Sequence, residues 1–176
     1  MTGLYGKMPG HGDFVRRRLP ESFLTPWDAW LQAGIAAARS VFQGEFDRVW
    51  ASAPLWRFRL PAGACGDGVA AGILIPSWDF VGRHFPLTLA AVLPADTNPP
   101  PSAWYAALEL AGTAAIERGD TADALMAALP EIPKEYVASD AEAISPEGWW
   151  TADEFYWDLP RLPTDTQFST LLRGSA

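Results

Sequence analysis

The residues best suited to chemistry in this chain of 176 are few. Both histidines stand near an aspartate, in His11-Gly12-Asp13 and in Asp79-Phe80-Val81-Gly82-Arg83-His84. Two imidazoles and two carboxylates can hold zinc or iron when loops bring them together. Neither pair has the i, i+4 spacing that would align two ligands on a helix. The spacing therefore favours another role, in which Asp13 and Asp79 accept N–H bonds within their loops and Arg83 pairs with one of them. Cys65 is the single cysteine, which excludes an internal disulfide and any zinc site built on cysteine pairs. Set among Gly63, Gly66 and Gly68, it reads as a buried structural residue beside a turn.

Other signatures fail on spacing. A Walker motif ending at Lys7 would need its first glycine at Met1 and a hydroxyl residue at Met8. Gly10-x-Gly12 lacks the third glycine and the long preceding strand of a dinucleotide fingerprint, and no serine sits in a Gly-x-Ser-x-Gly elbow. Residue chemistry alone thus yields no enzyme and no cofactor. A small metal-dependent hydrolase using His11, Asp13, Asp79 and His84 is the alternative reading.

Charge narrows the partners. The net charge is −8, with nine basic and seven acidic side chains in residues 1–90 against four and fourteen in the remainder. Such an acidic body repels a phosphate backbone, so nucleic acid is not an expected partner. Arg16-Arg17-Arg18 is the only basic cluster. The apolar runs Val69–Ile75 and Pro86–Ala95 are shorter than the roughly 20 residues a membrane helix needs, and the first residues form no apolar signal segment. The expectation is a soluble, cytoplasmic protein. Nine tryptophans, about one residue in twenty, call for an aromatic core or an aromatic contact surface.

The elements that would position these residues follow from periodicity. A short strand and tight loop occupy the glycine-rich start. Thr25-Pro26-Trp27-Asp28 predicts a helix start, with Thr25 as cap, Pro26 in the first turn and Asp28 closing a capping box. Trp27, Trp30, Leu31, Ile35, Ala38, Val41 and Phe42 then mark its buried face. A short helix over 45–53 presents Phe46, Val49 and Trp50. Trp56-Arg57-Phe58-Arg59-Leu60 alternates as a half-buried strand, and the runs 69–75 and 87–93 read as central strands covered on both faces. Residues 76–86 between them form a polar-aromatic connection of hairpin length. Helices follow over Ser102–Arg118, stopped by Gly119, and over Asp120–Leu129, closed by Pro130. Residues 130–148 read as an irregular acidic excursion, Trp149-Trp150 and Phe155–Trp157 as short extended pieces, and Thr164-x-x-Gln167 as the cap of a last helix burying Phe168, Leu171 and Leu172. The whole reads as one α/β domain over 1–176, a three-layer sandwich whose mixed, largely antiparallel sheet carries helices on both faces.

Several ordered motifs carry a resemblance. Gly3-Leu4-Tyr5-Gly6-Lys7-Met8-Pro9-Gly10-His11-Gly12-Asp13-Phe14-Val15, Arg18-Leu19-Pro20 and Trp27-Asp28-x-Trp30-Leu31 resemble the opening of the TagF family, regulators associated with type VI secretion. Pro54-x-Trp56-Arg57-Phe58 with Gly63 and Cys65-Gly66 is similar to the family's middle. Pro76-Ser77-x-Asp79-x-x-Gly82-Arg83-x-Phe85-Pro86-Leu87 looks like its most recognisable signature. Trp149-Trp150 and Leu171-Leu172 also fit, whereas Trp78, Phe80 and Gly148 depart from the pattern. The resemblance implies a sheet sandwiched by helices and a non-catalytic cytoplasmic repressor of type VI secretion, linked to a forkhead-associated scaffold protein. It also makes Gly12, Asp13, Phe14, Trp27, Asp28, Trp56, Arg57, Ser77, Asp79, Gly82 and Pro86 motif positions with a structural role. Candidate partner contacts are Arg16, Arg17, Arg18, Trp78, Phe80, Arg83, Trp149 and Trp150, chosen because arginine and aromatic residues anchor interfaces. The acidic segment 131–147 could meet a basic partner.

Overall fold

The computed structural model describes residues 1–133, 146–153 and 155–174. The acidic segment 131–147 therefore lies mostly outside the described residues. Among the described residues seven strands form one sheet: β1 (Gly3–Gly6), β2 (Val15–Arg17), β3 (Trp56–Leu60), β4 (Val69–Ile75), β5 (Leu87–Leu93), β6 (Gly148–Trp150) and β7 (Tyr156–Trp157), in the order β2-β1-β5-β4-β3-β6-β7. Every strand pairing among the described residues is antiparallel, in keeping with the largely antiparallel sheet expected. The central hairpin pairs β4 with β5 from Val69↔Leu93 to Ile75↔Leu87, both strands buried as their continuous apolar runs require.

Helices cover both faces. On one lie α1 (Glu21–Phe42), α2 (Phe46–Ala51, after a 3₁₀ turn) and α5 (Phe168–Arg173); on the other lie α3 (Ser102–Arg118) and α4 (Ala122–Ala128). Strand alternation sorts the side chains. Trp56, Phe58, Leu60, Ala70, Leu74 and Trp149 enter the first core, while Ala71, Ile73, Ile75, Leu89 and Trp150 enter the second. Arg57 emerges on the α3 side and meets Glu109 through two bonds of 2.6 and 2.7 Å. Among the described residues no helix is long and apolar enough to cross a membrane.

Most of the tryptophans are core residues, Trp78 and Trp157 excepted, and several have satisfied polar ends. The indole N–H groups of Trp30, Trp56 and Trp149 donate to the carbonyls of Pro163, Leu171 and Arg161 at 2.7–3.1 Å, which ties the C-terminal segment to the sheet. That of Trp27 donates to Thr88 Oγ1 at 2.9 Å. An indole buried this way contributes its apolar area without an orphaned donor.

Three readings of the local sequence change. The first helix begins at Glu21, not at Thr25, with Pro20 accepting from Leu24 N and Pro26 inside the helix. Phe23 and Leu24 are buried in the first core, and their burial extends the helix past the capping signal. Pro26 cannot donate to the Ser22 carbonyl; the Cys65-Gly66 turn packs there, with Gly66 against Ser22 O and Cys65 Sγ donating to Phe23 O at 3.7 Å. Val41, read as part of the buried face, is exposed at the end of α1. Thr164 and Gln167 bond to each other in the turn before α5, Thr164 N donating to Gln167 Oε1 at 3.0 Å. The helix itself starts at Phe168, with Gln167 in the N-cap position and no side-chain cap bond.

Candidate functional site

The connection between β4 and β5 is organised around one carboxylate. Asp79 is fully buried. Its Oδ2 accepts from Lys7 Nζ at 2.7 Å and from Arg83 Nε at 2.6 Å, and its Oδ1 from the N–H groups of Val81 (3.1 Å) and Arg83 (2.9 Å). Gly82 N closes the turn onto the Asp79 carbonyl at 2.8 Å, and Gly82 has a φ of 84°, a conformation that favours glycine. Burial alone would raise the Asp79 pKa; the bonds from Lys7 and Arg83 outweigh it and hold the carboxyl well below its usual range.

The same loop clasps the N-terminal loop. Phe80 N donates to His11 O at 2.8 Å, Arg83 Nη2 to Gly12 O at 2.7 Å, and Ser77 Oγ to Lys7 O at 2.8 Å. Trp50 Nε1 donates to Ser77 O from α2 at 3.1 Å. With Asp79 and Ser77 turned inward, the loop faces solvent with apolar side chains: Phe80 is 77% exposed, Val81 66% and Trp78 42%. Phe14, 44% exposed, packs edge-on against Phe85, ring centroids 4.8 Å apart.

The four residues of the metal reading have separate employment. His11 Nε2 accepts from Ala122 N at 2.8 Å, at the start of α4. His84 faces Asp47, its Nδ1 3.3 Å from the carboxylate, and lies against the rings of Trp50 and Phe46. Asp13 accepts from Phe14 N at 2.9 Å. Among the described residues no three His, Cys, Asp or Glu side chains are grouped to hold a metal ion, so the donor set of that hydrolase is not assembled. Cys65 is buried, which pushes its thiol up to about 12 and keeps it protonated.

The candidate contacts divide. Trp78, Phe80 and Arg83 lie together on the exposed loop. Arg16, Arg17 and Arg18 occupy the sheet edge, paired with Glu21, Asp123 and Glu131 respectively, so they fasten that edge to its neighbours. Trp149 and Trp150 are buried, one in each core, because adjacent residues of a central strand point to opposite faces; they are not surface contacts. Lys7 was missed by residue chemistry, which tested it only as a phosphate ligand. A lone lysine in an otherwise apolar and glycine-rich opening was the available signal.

A comparison with solved structures agrees with this architecture. The crystal structure of PA0076 from Pseudomonas aeruginosa PAO1 matches with a TM-score of 0.84 and 30% sequence identity, over 100% of this chain and 96% of that one. Among curated proteins none matches. The TagF N-terminal domain family, type VI secretion system-associated, matches residues 3–132, which contain the Asp79 clasp and its exposed loop. Through that match over most of its length, the chain belongs to the TagF N-terminal domain family of type VI secretion system-associated proteins.

Proposed function

We propose that this protein is a non-catalytic regulator that represses a bacterial type VI secretion system from the cytoplasm by binding another protein. A forkhead-associated scaffold is the partner that membership of the family suggests. One observation carries the reading: the family's signature segment is held by a buried Asp79–Lys7–Arg83 network while Trp78, Phe80 and Val81 stand in solvent. A rigid loop displaying large apolar side chains is what a binding surface requires, since little conformational freedom is lost on docking.

The test is a secretion assay in cells lacking or overproducing the protein, paired with a pull-down of the scaffold. Overproduction should suppress secretion and deletion should raise it. Phe80→Ser and Trp78→Ser, which leave the cores intact, should weaken scaffold capture without lowering thermal stability. Unchanged secretion in both strains would refute the repressor role, and no association at micromolar concentration would refute the partner.

A further inference from the structure

We propose that the pocket between α2 and α3, beside Trp78, is where a partner protein inserts a lysine or arginine side chain from a basic segment. This rests on the binding-module reading above and gives it a pocket and a partner chemistry.

The pocket lies at the end of the central hairpin, where residues of α2, in one helical layer, and α3, in the other, meet around the last residue of β4. Its volume is about 380 Å³, and Trp50, Ile75, Pro76, Trp78, His84 and Thr113 are among the residues that line it. The lining is held from behind. Trp50 Nε1 donates to Ser77 O at 3.1 Å, Ser77 Oγ donates to Lys7 O at 2.8 Å, and the His84 ring lies 5.5 Å from Trp50. Trp78 pairs with His84 across the connection. Among the described residues the Trp78 ring stacks on no other ring and its indole N–H has no acceptor. A half-exposed indole without either kind of partner, at the wall of a preformed pocket, is free to serve as a contact.

Charges and rings favour the same occupant. Asp47, 80% exposed on its side chain, stands one turn before Trp50 on α2, and among the described residues its one ion-pair partner is His84, 3.3 Å away. Burial and the charge of Arg39 keep His84 neutral near pH 7, so the charge of Asp47 is left unmatched. On α3, Glu117 follows Thr113 by one turn on the exposed face, with no cation among the described residues in ion-pair range. The cations on neighbouring elements are engaged elsewhere: Arg48 with Glu45, Arg57 with Glu109, Arg118 with Asp120, and Arg83 with Asp79. Arg39 stacks on Phe46 at 4.1 Å and is outside ion-pair range of Asp47. In a chain of net charge −8, two uncompensated carboxylates flanking the pocket attract a cation and repel a carboxylate. The faces of tryptophan rings attract the same ion. The aliphatic stem of a lysine or arginine suits the surface of Ile75 and Pro76, whereas an uncharged apolar side chain would leave both carboxylates unanswered.

Fluorescence anisotropy with a fluorescein-labelled dodecapeptide of alternating arginine and leucine tests this, with a glutamate-for-arginine version as the comparison. The basic peptide should bind the intact protein at least about tenfold more tightly than the acidic one. Asp47→Asn and Glu117→Gln, both at exposed positions that fold without them, should each weaken it about threefold. Thr113→Arg, which sets a competing cation at the pocket, should weaken it by about fivefold or more. Asp67→Asn removes an equal charge at the far end of β4 and should leave binding unchanged. Equal binding of both peptides, no binding at millimolar concentration, or indifference to Asp47→Asn, Glu117→Gln and Thr113→Arg would overturn the proposal. So would an equal loss in Asp67→Asn, which marks diffuse attraction to an acidic protein rather than a pocket. Those results would leave the secretion phenotype untouched, whereas a null secretion phenotype with intact peptide binding would overturn the regulatory reading alone.

Discussion

Replacing Asp79 by alanine should be among the most damaging single changes outside the aromatic core, for an electrostatic reason. Four donors converge on this carboxylate. They differ in what they lose. Arg83 is 61% exposed on its side chain and can return to water, so that pair contributes at most about 1 kcal/mol. The N–H groups of Val81 and Arg83 lie in an exposed loop and can also be solvated. Lys7 cannot: its side chain is 8% exposed, and without Asp79 its ammonium is a buried charge with no counterion. Breaking one partner out of a buried pair costs about 3–5 kcal/mol, against a total stability of about 5–15 kcal/mol for a typical domain.

Urea unfolding followed by tryptophan fluorescence would measure the loss. The double variant Lys7→Met/Asp79→Ala should recover about 2 kcal/mol relative to Asp79→Ala, because it removes the stranded cation along with its partner. Acid provides a second readout. Asp79 has a folded pKa below its ordinary value of 3.8, so its contribution is complete above that value and is lost as the pH falls from there toward the folded pKa. The gap between native protein and Asp79→Ala should therefore close only below about pH 4. A loss under about 1 kcal/mol for Asp79→Ala, or strict additivity in the double variant, would refute the idea that the Lys7–Asp79 pair holds the signature loop.

Three further outcomes are expected. Trp149→Ala should destabilise by about 3–5 kcal/mol and Trp78→Ala by less than about 1, since the first ring is fully buried and the second is 42% exposed; chemical denaturation of both variants checks this contrast. Gly34→Ala should lower stability by roughly 1–2 kcal/mol, because an added Cβ would lie 2.3 Å from Phe168 Cδ2 and the overpacking outweighs the helix-propensity gain; thermal melts and the restoring double variant with Phe168→Leu would show it. His84 is held below its ordinary value of 6.5, first by burial and then by the charge of Arg39, against the opposing pull of Asp47. The unfolded chain therefore binds a proton that the folded protein resists, so stability falls as the pH drops below about 6.5, by no more than about 1.4 kcal/mol per pH unit from this group. His84→Gln should flatten that decline in urea midpoints measured from pH 7.5 to 5.5.

Much of the fold was legible because its signals are local. The alternation of Trp56-Arg57-Phe58-Arg59-Leu60 placed one face in the core, and Ser102–Arg118 with Gly119 behind it marked a helix and its left-handed cap. The runs 69–75 and 87–93 showed two strands covered on both faces. What the residues alone could not convey was which distant groups would meet. Thr25 and Pro26 form a sound local start for a helix, yet the burial of Phe23 and Leu24 against other elements moved the start to Glu21. The adjacent Trp149 and Trp150 have the same composition as a contact surface; only the strand that carries them, with a core on either side, decides that both are buried. His11 and Asp79 look alike as ligand candidates in sequence. Their roles separate because Ala122, 111 positions from His11, brings a helix start to its imidazole, and Lys7, 72 positions from Asp79, brings it a buried cation. Composition and periodicity report the burial of a side chain on its own element, whereas the state of a charged group depends on the partners that chain topology places beside it. That is why the sequence by itself determined the layered sheet and the importance of the 76–86 segment, and why the tertiary structure decided that this segment is a clasp with its apolar side chains turned outward.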